Sequence, residues 1–117
     1  MRATTEENLP IANKLPFKFE AEEYGLSGWG EVDFYSEQDD VLILLEVEKG
    51  QKHPNTNVLK VWPFLEEYPE QKVLLIQIIR LENKAPKNRL KLCEFTGKKL
   101  EELFPNRFRY YKFNADI

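Results

Sequence analysis

Val41-Leu42-Ile43-Leu44-Leu45-Glu46-Val47-Glu48 is the stretch that decides how this chain folds. Its long aliphatic run is typical of a strand buried on both faces of a sheet. Because side chains alternate across a strand, Glu46 and Glu48 are predicted on the same face as Leu42 and Leu44. Two carboxylates at the end of an apolar stripe need a compensating partner, and a divalent cation is the natural candidate.

A third carboxylate, Asp33, lies in the segment 29–36, whose composition predicts the preceding strand. If the two strands pair, Asp33 reaches the same end of the sheet as Glu46 and Glu48. The sequence therefore predicts a hard-cation site made of these three acids. The alternative is a solvated rim of acidic residues, which fits Glu46 poorly because the apolar Val47 follows it.

The remaining segments predict a helix up to about Lys14 and strands over 17–21, 29–36 and 41–48 that form an antiparallel meander. After the meander we expect a helix capped by Asn55 or Thr56, with Pro63 as an interruption. A buried strand over 72–81, a helix capped by Asn88 and a last strand over 107–113 complete the order. Gly97 is a candidate break in that last helix. This order predicts one α/β domain over residues 1–117, with a mixed central sheet flanked by helices.

Charge is divided unevenly along the chain, although the net charge is only −3. Residues 1–48 carry three Lys or Arg and twelve Asp or Glu, whereas residues 49–117 carry fourteen and eight. An acidic part that binds metal and a basic part that contacts phosphate fit an enzyme acting on a polyanion. Ordinary solvated surface charge explains the same numbers equally well.

Several protein classes are excluded by composition. No apolar run approaches the length of about eighteen residues that a membrane-spanning helix needs, and no basic-then-apolar signal segment is present. Cys93 is the only cysteine, so an internal disulfide and a cysteine-rich zinc site are both excluded. These features predict a cytoplasmic protein without a membrane partner.

The order of elements and the spacing of Asp33 and Glu46-Val47-Glu48 resemble the PD-(D/E)XK nuclease superfamily over essentially the whole chain. The resemblance implies a restriction-endonuclease-like core, written αβββαβ(αβ). Asp33 matches the motif aspartate, and Glu46 matches the acid of the (D/E)-X-K tripeptide. Glu48 stands where the family has lysine, so this chain carries a D…ExE variant of the motif.

The resemblance also implies a chemistry. Asp33, Glu46 and Glu48 would bind Mg²⁺, for which Mn²⁺ would substitute, and the metal would activate water and neutralise developing charge. The missing ammonium would come from Lys60 on the following helix, with Lys52 as a second candidate. The alternative to a lysine from elsewhere in the chain is that Glu48 itself acts through a second metal or as a base. The predicted catalytic residues are therefore Asp33, Glu46, Glu48 and Lys60.

A set of basic residues after the acidic motif is predicted to contact the nucleic-acid backbone: Lys49, Lys52, Arg80, Lys84, Lys87 and Arg89. The predicted function is phosphodiester hydrolysis by a DNA endonuclease of restriction or repair type, with a homodimer cutting both strands. A catalytically inactive nuclease-fold protein, serving as a DNA-binding or assembly subunit, is the alternative. A small interaction protein that binds no nucleic acid is a third, weaker hypothesis.

Overall fold

The central feature of the fold is a four-stranded mixed sheet. A computed structural model describes residues 3–50 and 53–115 of the chain. The predicted α/β class and the mixed sheet flanked by helices are confirmed. In chain order the elements are α1 (Ala3–Ala12), β1 (Tyr24–Gly25), β2 (Glu31–Val32), β3 (Phe34–Gln38), β4 (Val41–Glu48), α2 (Asn55–Leu59), α3 (Val61–Glu67), β5 (Lys72–Arg80), α4 (Lys87–Leu103) and β6 (Phe108–Ala115).

Strand β4 spans the predicted octapeptide and lies inside the sheet. It pairs antiparallel with β3, through the tight turn at Asp39, and parallel with β5. Strand β5 also pairs parallel with β6, so each of the two parallel connections contains helices. These connections cover one face of the sheet and α1 covers the other, which is why β4 and β5 are almost continuously apolar.

The alternation of side chains along β4 divides the core into two clusters. Leu42 and Leu44 pack with residues of α2, α3 and α4 on one face. Ile43, Leu45 and Val47 pack on the opposite face, where α1 covers them. Glu46 and Glu48 therefore project toward the face of α2, α3 and α4, as the alternation predicts.

The predicted antiparallel pairing of the second and third strands is confirmed for β3 and β4, whereas the first predicted strand is absent and the second is interrupted. Residues 17–21 form no strand and contribute only the single bridge between Glu20 and Tyr35. The segment 29–36 is not one strand, because the chain bends at Asp33 between β2 and β3. The bend has a packing cause: Val32 enters the core beneath the helices, whereas Phe34 enters the core beneath α1. In an uninterrupted strand these two side chains would share one face.

The predicted interruption by proline occurs as a break between α2 and α3 at Lys60. Pro63 has no N–H to donate, and its ring crowds the carbonyl four residues earlier, at Leu59. The predicted side-chain caps are wrong, because Pro54 and Pro86 occupy the N-cap positions of α2 and α4 without side-chain hydrogen bonds. Among the described residues no helix has the length and apolar character to cross a membrane.

Gly97 does not end a helix; it lies in the middle of α4, where Tyr110 of β6 packs directly against it. A Cβ atom built at Gly97 would lie 2.2 Å from Tyr110 Cδ2. The absence of a side chain therefore sets the distance between α4 and the sheet.

Gly97→Ala is expected to lower the free energy of unfolding by about 1–3 kcal/mol, because the added methyl group overpacks the interface. Gly25→Ala is the matched control, since a Cβ at Gly25 meets no atom within 4 Å. Urea unfolding measures both. Equal stability of the two variants would contradict the close packing of α4 on β6.

Candidate active site

Asp33 and Glu46 are held side by side by two reciprocal hydrogen bonds. The backbone N–H of Asp33 donates to Glu46 Oε1 at 2.9 Å, and the backbone N–H of Val47 donates to Asp33 Oδ2 at 2.9 Å. The bend at Asp33 makes this possible, because the pairing of β3 with β4 begins one residue later, at Phe34 and Leu45. The predicted convergence of these two acids is therefore present at the end of the sheet.

Lys60 supplies an ammonium group to this pair of acids. Its Nζ atom lies 3.3 Å from Glu46 Oε2 and also donates to the carbonyl oxygen of Glu31. The Lys60 side chain is only 13% exposed, and the Glu46 side chain only 4%. The break between α2 and α3 places Lys60 where its side chain crosses Gly30 to reach Glu46. The lysine predicted from the following helix thus lies beside the acid.

Glu48 is fully buried and is held by two side-chain amides. Asn57 Nδ2 donates to both of its carboxylate oxygens, at 2.8 and 2.9 Å, and Gln77 Nε2 donates to Oε2 at 2.6 Å. A carboxylate that accepts several hydrogen bonds can remain charged in the interior. The predicted third metal ligand therefore directs its oxygens toward α2 and β5.

Burial raises the proton affinity of Glu46 and of Glu48. Burial is the largest cause that raises the pKa of Glu46 well above its ordinary value, and the charge of Asp33 adds to it. The ammonium of Lys60 opposes this effect. Burial also raises the pKa of Glu48, against the hydrogen bonds from Asn57 and Gln77.

The metal-free protein is expected to lose stability as the pH rises above 4.5, the ordinary pKa of Glu46. In this range the folded state binds more protons at Glu46 than the unfolded state does, so raising the pH favours unfolding. The free energy of unfolding, measured in EDTA across about pH 5 to 8, should fall more steeply for the wild type than for Glu46→Gln. If the free energy of unfolding depended on pH in the same way for both proteins, Glu46 would have an ordinary pKa in the folded protein.

Within residues 3–50 and 53–115 no group of three or more His, Cys, Asp or Glu side chains is arranged to hold a metal ion. Mg²⁺ does not need such a cage, since it commonly binds one or two carboxylates, several waters and a substrate phosphate. Asp33 and Glu46 provide two adjacent carboxylates of this kind. Their hard oxygen donors therefore fit Mg²⁺ or Mn²⁺.

The predicted phosphate contacts are separated by the fold. Arg80 is buried and pairs with Glu7 and Glu82, so it does not lie at the surface with the other predicted contacts. Lys49 pairs with Glu7 of α1, on the opposite face from Glu48. Lys52 lies outside the described residues. Lys84 and Lys87 are exposed, and Arg89 is half-buried near the start of α4.

Asn83 ties the loop between β5 and α4 to the candidate site. Its Nδ2 atom donates to the carbonyl oxygen of Glu48 at 3.0 Å, and its Oδ1 atom accepts the N–H of Ala85 at 2.8 Å. The exposed Lys84 follows directly in the chain. The loop that carries predicted phosphate contacts is thus anchored beside the acidic strand.

Asn57, Gln77 and Tyr110 are residues of this site that the sequence analysis missed. The Tyr110 hydroxyl donates to Gln77 Oε1, which extends the hydrogen-bonded group as far as β6. Gln77 carried a usable signal, because it is the single polar residue in the run from Val73 to Ile79. Asn57 precedes Lys60 by three residues on the helical segment, a spacing that places the two side chains together.

Comparison with known proteins adds no assignment, since no family model, curated protein or solved structure matches this chain.

Proposed function

We propose that this chain is a Mg²⁺-dependent nuclease that hydrolyses phosphodiester bonds in DNA, with a PD-(D/E)XK-like site. One observation carries the proposal: the Lys60 ammonium lies 3.3 Å from Glu46, which is itself hydrogen-bonded to Asp33. The D…ExE motif lacks a lysine in the tripeptide, and this geometry supplies an ammonium from the helix instead. The main reason for regarding the chain as an inactive scaffold is thereby weakened.

Asp33 and Glu46 would hold the cation through their carboxylate oxygens. Bound there, Mg²⁺ or Mn²⁺ supplies a Lewis acid for the phosphate and an activated water. The Lys60 ammonium can orient that water and stabilise negative charge that develops on the phosphate oxygens. Its small exposure increases this effect, because electrostatic interactions are stronger away from bulk water.

The nucleic-acid backbone would lie along the loop between β5 and α4. Asn83 anchors this loop to the Glu48 carbonyl, and Lys84 and Lys87 are exposed on it and at the start of α4. Cations near a helix N-terminus together with its backbone N–H groups are suited to phosphate. The proposal includes a cytoplasmic location and, because one site cuts one strand, a homodimer for double-strand cleavage.

The experiment that tests the function is incubation of the protein with supercoiled plasmid, branched DNA, single-stranded DNA and RNA, with Mg²⁺, with Mn²⁺ and with EDTA. Metal-dependent conversion of any DNA substrate to nicked or shortened products supports the proposal. DNA binding without cutting on every substrate would support the assembly subunit instead. An absence of salt-dependent DNA affinity would favour an interaction protein that does not bind nucleic acid.

A further inference from the structure

The position of Glu48 is fixed by a continuous set of side-chain hydrogen bonds. We call it the positioning chain and define it as Tyr110, Gln77, Glu48, Asn57 and Lys60. Gln77 donates to Glu48 and to the carbonyl oxygen of Pro54 at 3.0 Å, and its own oxygen accepts the Tyr110 hydroxyl. The positioning chain thus connects β4, β5 and β6 with the start of α2.

Asn57 is the link between Glu48 and Lys60. Its Nδ2 atom faces a carboxylate, which only accepts hydrogen bonds, and its Oδ1 atom accepts from Lys60 Nζ at 2.9 Å. Rotating the amide by 180° would place oxygen against carboxylate and NH₂ against ammonium. Both contacts would be repulsive, so Glu48 and Lys60 together determine the orientation of Asn57.

Glu48 is completely buried, and two neutral amides direct three donations to it. A magnesium ion keeps several waters, which fits the half-buried Asp33 better than the interior around Glu48. The third acid of the motif is therefore satisfied without a cation. Its contacts run toward Lys60, through Asn57.

We propose that Glu48 is not a metal ligand, and that Glu48 and Asn57 are positioning residues that hold the Lys60 ammonium against Glu46. The catalytic part of this inference rests on the proposed nuclease function. Its structural part does not, since it concerns contacts among side chains of this chain alone. A misplacement of about 1 Å in a reacting group can reduce a rate by about 100-fold.

The test exchanges the acid at position 48 with the amide at position 57. Glu48→Gln leaves a surplus donor against Asn57, and Asn57→Asp places a carboxylate against Glu48. The double variant Glu48→Gln/Asn57→Asp again places a donor against an acceptor at each of these links. The amide introduced at position 48 can donate to the carboxylate introduced at position 57 and accept from Gln77, and that carboxylate also accepts from Lys60. Both substitutions conserve side-chain size, so packing is unchanged.

Three quantities are measured for the wild type, both single variants and the double variant: the midpoint of thermal unfolding, the affinity for Mn²⁺ by calorimetry, and kcat and KM for DNA cleavage. We expect Glu48→Gln to keep the Mn²⁺ affinity of the wild type and to lower kcat by about 10- to 100-fold without raising KM. The double variant should recover most of the lost kcat and the unfolding midpoint. Tyr110→Phe, which removes only one hydroxyl, should lower kcat by a smaller factor.

A loss of Mn²⁺ binding in Glu48→Gln that persists in the double variant would overturn the inference, because Glu48 would then be a ligand. Failure of the double variant to recover stability relative to both single variants would also overturn it. If no protein in the set cleaves DNA but the unfolding midpoints show the recovery, the positioning chain is supported and the nuclease function fails. If the single variants do not fold, a folded double variant supports the inference, and unchanged kcat in Tyr110→Phe counts against it.

Discussion

Glu46→Gln and Asp33→Asn are each expected to reduce Mg²⁺-dependent DNA cleavage by about 1,000-fold or more, which corresponds to about 4 kcal/mol of transition-state stabilisation. Each change removes one of the two carboxylates that lie together at the ends of β3 and β4. A cation that loses one of these two ligands binds more weakly than in the wild type, and the water it activates is poorly placed. Initial rates of plasmid nicking and the Mn²⁺ affinity from calorimetry measure the two effects separately.

Glu37→Gln is the matched control, because Glu37 is an exposed acid on β3. It should cleave at the wild-type rate and bind Mn²⁺ normally. Wild-type cleavage by Glu46→Gln would refute the assignment of the metal to this site, whatever the activity of the other variants.

Lys60→Met is expected to lower the free energy of unfolding by about 3–5 kcal/mol at pH 8, because it leaves the buried Glu46 carboxylate without its cation. The loss should shrink as the pH falls, since a protonated Glu46 needs no counter-charge. Cleavage should also be lost if the ammonium acts on water or phosphate. Chemical denaturation at several pH values and the nicking assay provide the two measurements.

Two further variants separate charge from packing. Lys60→Met/Glu46→Gln removes both charges and should recover stability but not cleavage. Lys99→Met breaks the pair of Lys99 with Glu102, whose side chains are 49% and 70% exposed, and should cost at most about 1 kcal/mol. Equal destabilisation by Lys60→Met and Lys99→Met would mean that the ion pair of Lys60 with Glu46 contributes little to the free energy of unfolding.

Much of the sheet could be predicted because the sequence signals are local and strong. The aliphatic run of β4 and the longer run of β5 each contain more apolar residues than a surface loop tolerates. The alternation along β4 places both glutamates on the predicted face. The same reasoning fails at Asp33, because two opposite cores compete for Val32 and Phe34 and periodicity in one segment cannot reveal a second core. The interpretation of Gly97 as a helix breaker fails for a similar reason, since its partner Tyr110 lies on another element.

The charged residues of the candidate site could be predicted from the sequence. The neutral amide side chains that contact them were not predicted. Asp33, Glu46 and Lys60 could be selected by type and spacing. The spacing of Asn57 from Lys60 gains a meaning only once the orientation of Glu48 is known. The prediction of Arg80 as a surface contact rests on its place at a strand end, but Glu7 of α1 pairs with it across the folded molecule.

The contact between Glu7 and Arg80 affects how the protein folds during translation. Glu7 and Arg80 are 73 residues apart in the chain, and Ile11 and Ala12 of α1 pack on β4 and β5. During translation α1 leaves the ribosome well before β5, so its docking surface is incomplete until β5 has been synthesised. The apolar face of Ile43, Leu45 and Val47 is likewise uncovered until α1 docks. Fusion partners placed next to α1 are therefore expected to affect the yield of soluble protein more than fusions after β6.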